Sequence, residues 1–116
     1  MIDYFKNVVD IGELHLERIF LQFENEPIIF LCSDNIKNLY LCVCTEIRYQ
    51  QNWLIVAITK NQLEEMMRGN KNVRSAFVES EKIITISMDM NGKELSKMVN
   101  LEEINPVDLP SNNVYL

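Results

Sequence analysis

Three apolar runs in the middle of the chain, Ile28–Cys32, Leu39–Cys44 and Trp53–Ile58, restrict the fold more than any other feature. Polar turns separate them, Ser33-Asp34-Asn35 first and then Arg48 through Asn52. Short apolar runs bounded by turn residues read as buried strands, here a three-stranded antiparallel meander. An antiparallel sheet with one wet face alternates apolar and polar side chains. These runs do not: only Tyr40 interrupts Leu39–Cys44, and both faces of Trp53–Ile58 are apolar. Something must therefore cover each face. Helices can cover one; the other needs the remaining strands or a second copy in a homodimer.

The flanking segments supply that cover. Met1–Val9 carries apolar positions at Ile2, Phe5 and Val9 and is compatible with a short helix capped by Asp3, ended by Asp10-Ile11-Gly12. Glu13–Phe23 alternates, but its phase switches at Glu17-Arg18, as in a long strand with a bulge. Glu24-Asn25-Glu26-Pro27 is the next turn, and Pro27 marks a strand start because it cannot donate to a ladder. Thr59 and Gln62 have capping-box spacing, followed by Leu63, Met66 and Met67 on one helical face, with Gly69 as the left-handed stop. Asn72 caps a second helix that buries Val73, Ala76 and Phe77. Lys82–Met90 alternates, with Ile84, Ile86, Met88 and Met90 on one face. Asn91-Gly92 predicts a type I′ hairpin with a return strand near Leu95–Leu101. The order of elements predicts an α+β fold: an antiparallel meander, two short helices and a hairpin, packed in layers. At 116 residues the chain suits one domain, 1–116, with 1–12 as an N-terminal segment and 111–116 as a tail or docked edge.

Composition excludes more than it assigns. The formal charge is −6, and the basic residues are scattered, so nucleic acid is not an expected partner. No apolar run approaches the roughly 20 residues of a membrane helix, and the N-terminus lacks a secretory signal pattern. A cytoplasmic location is expected. Three cysteines, Cys32, Cys42 and Cys44, cannot complete a disulfide framework and sit in apolar runs as core thiols rather than metal ligands. Neither Gly-rich phosphate fingerprint occurs, nor HExxH, CxxC or GxSxG, so no cofactor or metal is expected. His15, the single histidine, would need an orienting carboxylate and a nucleophile to act as a base; a partly exposed surface histidine is the plainer reading. The methionines at 66, 67, 88, 90 and 98 follow the helical and strand periods and read as core filling.

One more pattern remains. Phe23-Glu24-Asn25-Glu26-Pro27-Ile28-Ile29-Phe30, then Leu39-Tyr40-Leu41, Trp53-Leu54-Ile55-Val56, the Leu63-Glu64 helix, Val73-Arg74-Ser75-Ala76-Phe77 and Asp108-Leu109-Pro110 resemble a group of small bacterial proteins grouped as a domain of unknown function. The resemblance spans roughly residues 14–116. It implies a bacterial or phage source and a compact α+β domain, and it carries over no catalytic residues.

Together these observations predict a protein that binds another protein without catalysis. The expected surface is the acidic helix at Glu64 and Glu65, with Arg68 beside them and Trp53 as an aromatic anchor. An immunity- or inhibitor-type role against a basic partner such as a nuclease fits the charge. The alternatives are a small enzyme with a site assembled around His15, and a structural subunit whose sheet face is covered on assembly.

Overall fold

The computed structural model describes residues 2–47 and 50–116; Arg48 and Tyr49 of the turn expected from Arg48 through Asn52 lie outside the described residues. Seven strands form one sheet in sequence order: β1 (Ile2–Val8), β2 (Gly12–Phe23), β3 (Glu26–Ser33), β4 (Leu39–Glu46), β5 (Gln51–Ile58), β6 (Lys82–Met88) and β7 (Glu94–Asn100). Every neighbouring pair is antiparallel. Two helices, α1 (Lys60–Met67) and α2 (Val73–Ser80), are inserted between β5 and β6. The fold is thus mixed but mostly β. The expected meander is the centre of a longer one.

The apolar character of both faces has a direct structural answer. Alternate residues of the central strands enter two separate cores. Ile29, Leu31, Leu41, Val43, Leu54, Val56 and Ile83 pack outward against Met66, Val73, Ala76 and Phe77 of the helices. Phe30, Cys32, Cys42, Trp53, Ile55, Ile84 and Ile86 point inward, where Phe5, Val8 and Leu14 meet them. The sheet curls until β1 lies near β7, so the inner face is covered by the chain itself. Of the two covers expected for this face, the remaining strands supply it, and a second copy is not required for this purpose.

β1 is where expectation and structure part. Residues 2–8 form a strand, not a helix capped by Asp3. A seven-residue segment cannot hold a helix by local interactions. As a strand it pairs with β2 and carries Phe5 and Val8 into the inner core. Tyr4, Phe5, Phe30 and Trp53 form one aromatic cluster, with centroids 4.6 Å apart for Tyr4–Phe30 and 5.1 Å for Phe5–Trp53. Such pairs contribute about 0.5–1.5 kcal/mol each beyond burial.

β1 and β7 run in the same direction, and side chains bridge the gap. The Glu94 carboxylate accepts from the N–H groups of Lys6 and Asn7, both at 3.1 Å. The Ser96 hydroxyl accepts from the Val9 N–H at 2.8 Å. The barrel is therefore nearly closed, and three donors of an edge are satisfied by side chains.

Other local expectations hold. β2 changes register between Leu16 and Arg18, where its phase was expected to switch. Thr59 and Gln62 form a reciprocal capping box, and Asn72 caps α2 through the Ser75 N–H. Gly69 follows α1 with φ +80°. The hairpins differ. The type I′ conformation belongs to Glu24-Asn25, with φ 49° and 69°. At Asn91-Gly92 only the glycine has positive φ, because Met88 pairs with Glu94 and leaves a five-residue loop. There the Asp89 carboxylate accepts from the N–H groups of Asn91 and Lys93. Residues 111–116 are docked rather than free: the Val73 N–H donates to the Val114 carbonyl, and Leu116 packs on the outer core. Of the methionines, Met66 is buried, whereas Met67, Met90 and Met98 are exposed.

If Glu94 closes the barrel, Glu94→Ala should lower stability by about 1 kcal/mol. It should also speed hydrogen exchange at Lys6 and Asn7 selectively, with β4 and β5 unchanged. Uniform acceleration, or none, would contradict the closure.

Candidate functional site

Among the described residues the buried polar ones, His15, Ser33 and Asp34, lie together at the end of the barrel where β3 turns into β4. The strand register brings them there, since His15 on β2 stands opposite Ser33 on β3. His15 is 8% exposed, so it is not the surface histidine expected. Its Nε2 lies 2.7 Å from the Asn35 Oδ1. The Ser33 hydroxyl donates to Glu17 at 2.5 Å. A histidine, a serine and a carboxylate are therefore adjacent. They are not wired for acyl transfer, however: a nucleophilic serine passes its proton to the imidazole, and here that proton points at Glu17.

Asp34 organises the loop. Its Oδ1 accepts from the N–H groups of Ile36 and Asn38, at 3.0 and 2.8 Å. Its Oδ2 accepts from Asn38 Nδ2 and the Tyr40 hydroxyl, at 3.0 and 3.3 Å. Burial alone would raise the Asp34 pKa, but donation from the Asn38 side chain and backbone, Ile36 and Tyr40 outweighs it, and the net shift is downward. Tyr40 moves the other way, raised by burial and by the Asp34 charge. A carboxylate engaged by four donors is a structural anchor. The hollow beside it is small, about 270 Å³, bounded by Asp10, Asp34, Asn35, Asn38 and Tyr40 among others.

Larger hollows lie away from this end. One, about 650 Å³, is at the opposite end, where β2 turns into β3 and β6 into β7, and is lined by Glu24, Glu26, Asp89, Gln51, Met88 and Met90 with Ile47 and Gln50. The other, about 620 Å³, lies between the outer face of β4–β6 and the turns after β7; Glu46, Glu103 and Asp108 line it with Thr45, Asn52, Thr85 and Ser87. No Lys or Arg lines either hollow among the described residues. These carboxylates are dispersed along the sequence. That turns from four separate segments would gather them around adjacent hollows was not readable without the topology.

The residues expected to bind fall apart. Glu64 and Glu65 sit with Arg68 on α1, and Arg68 pairs with Glu65 at 3.8 Å. On the neighbouring helix Lys71 holds Glu79 at 2.6 Å, and Gln62 of α1 donates to the same carboxylate. The hydrogen bond from Lys71 draws the Glu79 pKa down. Much of the acidity of this face is thus internally compensated. Trp53 is 2% exposed in the inner core, on the other side of the sheet, and cannot anchor a partner.

Two of the three cysteines, Cys32 and Cys42, are core thiols as expected, whereas Cys44 is half-buried. Cys32 and Cys42 are wholly buried side by side, and burial pushes the Cys42 thiol well up. A thiol held protonated is a poor nucleophile and a poor ligand. Among the described residues no three His, Cys, Asp or Glu side chains converge as a metal site. No helix of the described residues is long and apolar enough to cross a membrane.

The Asp34 anchor has a definite pH signature. Its folded pKa lies below the unfolded value, so its contribution is complete above the unfolded value near 3.8 and is lost as pH falls through the folded one. Asp34→Ala should cost about 1–2 kcal/mol at neutral pH, and the difference from wild type should shrink under acid. Urea unfolding at both conditions measures this; a constant difference would refute it.

No curated protein and no solved structure matches the chain. Residues 4–116 match a set of sequences described as a family of unknown function (DUF6575). The match covers nearly the whole chain, and the chain belongs to that family.

Proposed function

We propose that this protein is an acidic, non-catalytic protein-binding module of the cytoplasm whose partner carries a basic surface. The observation that supports this reading is the gathering of five carboxylates, Glu24, Glu26, Asp89, Glu103 and Asp108, around two adjacent hollows, one at the end of the barrel and one on the outer face of β4–β6. Gln50 borders both hollows, so the two acidic linings adjoin. Like charges held on rigid turns repel one another and gain from a cationic partner, which also speeds encounter at low salt. Exposed Met90 and half-buried Ile47 beside these carboxylates offer apolar contact at the same end. An immunity- or inhibitor-type protein that neutralises a basic enzyme such as a nuclease is the form of this activity that the charge fits best. The α1 surface at Glu64, Glu65 and Arg68 is less suited, because Arg68 pairs with Glu65 there.

The test is a pull-down at low ionic strength with wild type and with a Glu24→Lys, Glu26→Lys, Asp89→Lys variant. Wild type should retain a basic partner and release it as salt rises, and the variant should lose at least tenfold in affinity. Recovery of no basic partner, or binding indifferent to salt and to the charge reversals, would overturn the proposal.

A further inference from the structure

β2 is longer than its neighbour. Ile2 of β1 pairs with Leu16, and among the described residues no strand adjoins β2 on that side beyond this point. From Arg18 to Phe23 the strand is paired to β3 along one edge and open along the other. An open edge exposes unpaired N–H and C=O groups and is a template for another strand. Here it also carries exposed apolar side chains: Ile19 is 38%, Leu21 51% and Phe23 56% exposed. Neither Lys nor Pro, the usual blocks to edge pairing, occurs between Glu17 and Glu26.

We propose that this edge pairs with the same edge of a second copy, antiparallel about a two-fold axis at Leu21. The sequence favours a second copy because the run complements itself. Read against its own reverse with Leu21 opposite Leu21, it sets Ile19 opposite Phe23 of the partner subunit and Phe20 opposite Gln22 of the partner subunit, and it brings Arg18 level with Glu24 of the partner subunit, the first residue of the β2–β3 turn there. Opposite charges and apolar pairs facing across strands are the stabilising combinations. Other axes are worse. With Phe20 at the axis, Phe23 faces Glu17; with Gln22 there, Phe20 faces Glu24 and Ile19 faces Asn25. Arg18 already lies over the Phe20 ring, 5.1 Å from its centroid, which holds the guanidinium beside the edge. The register breaks near Arg18 and Leu21 bend the strand and keep the pairing short. A two-fold contact of this kind is isologous and closes after two copies. It uses a surface distinct from the inner core, which is already covered, and it shares only Glu24 with the acidic hollows.

Sedimentation and cross-linking test the proposal. Wild type should sediment with the mass of two chains, and Leu21→Lys, which sets two ammonium groups face to face, should give one chain with an unchanged circular dichroism spectrum. In a Cys44→Ser background, Leu21→Cys should oxidise to a covalent dimer, whereas Ile36→Cys, exposed on a distant loop, should not. Mixing Ile19→Cys with Phe23→Cys should cross-link as a pair more readily than either alone, which holds even if the lysine variant fails to fold. A wild type that stays monomeric at its highest soluble concentration overturns the proposal. So does a dimer that cross-links no better through Leu21 than through Ile36, or an edge that takes up only an unrelated chain.

Discussion

A sheet whose central strands are apolar on both sides has to keep water from both. A flat sheet would need two added layers, and this chain has helical material for only one. It curls instead. The inner faces of β3–β6 close on the aromatic side chains of β1, and the outer faces receive α1, α2 and the docked C-terminal residues. Everything else about the molecule follows from that division. Polar groups are driven to the two ends of the barrel, where strands turn and backbone and side chains can meet solvent or one another.

The two ends differ in kind. At one, Asp34, Asn38 and Tyr40 satisfy each other, and Ser33 and His15 each have a partner of their own. Such a network holds a loop still and leaves little unspent for a ligand. At the other, Glu24, Glu26 and Asp89 from separate turns line one hollow, and no Lys or Arg lines it among the described residues. We therefore propose the second end as the binding surface, even though the first contains the residues that look more like chemistry.

Much of this was legible beforehand, for local reasons. The capping box at Thr59, the Asn72 cap and the phase switch in β2 are set by neighbours in sequence, and each forms where expected. The need to cover both faces was legible from Leu39–Cys44 and Trp53–Ile58 alone. What covers the inner face was not, because β1 is strand only by virtue of pairing with β2, and its closure on β7 depends on Glu94, distant in sequence. The turn at Glu24-Asn25 was expected, but its I′ type was not, for a related reason. Its residues are less typical than Asn-Gly, and the two-residue connection is imposed by the pairing of Phe23 with Glu26. Trp53 illustrates the limit for sites. An aromatic at a strand end reads equally as anchor or core, and only the curl of the sheet decides.

The single tryptophan makes the central claim measurable. Trp53 sits among Tyr4, Phe5 and Phe30 in the core that the chain closes on its own. Its fluorescence, recorded for the Leu21→Lys variant at high dilution so that no second copy contributes, should be blue-shifted and resistant to acrylamide until the protein unfolds. Emission at the wavelength of a hydrated indole, quenched freely under native conditions, would contradict a barrel sealed by its own first strand.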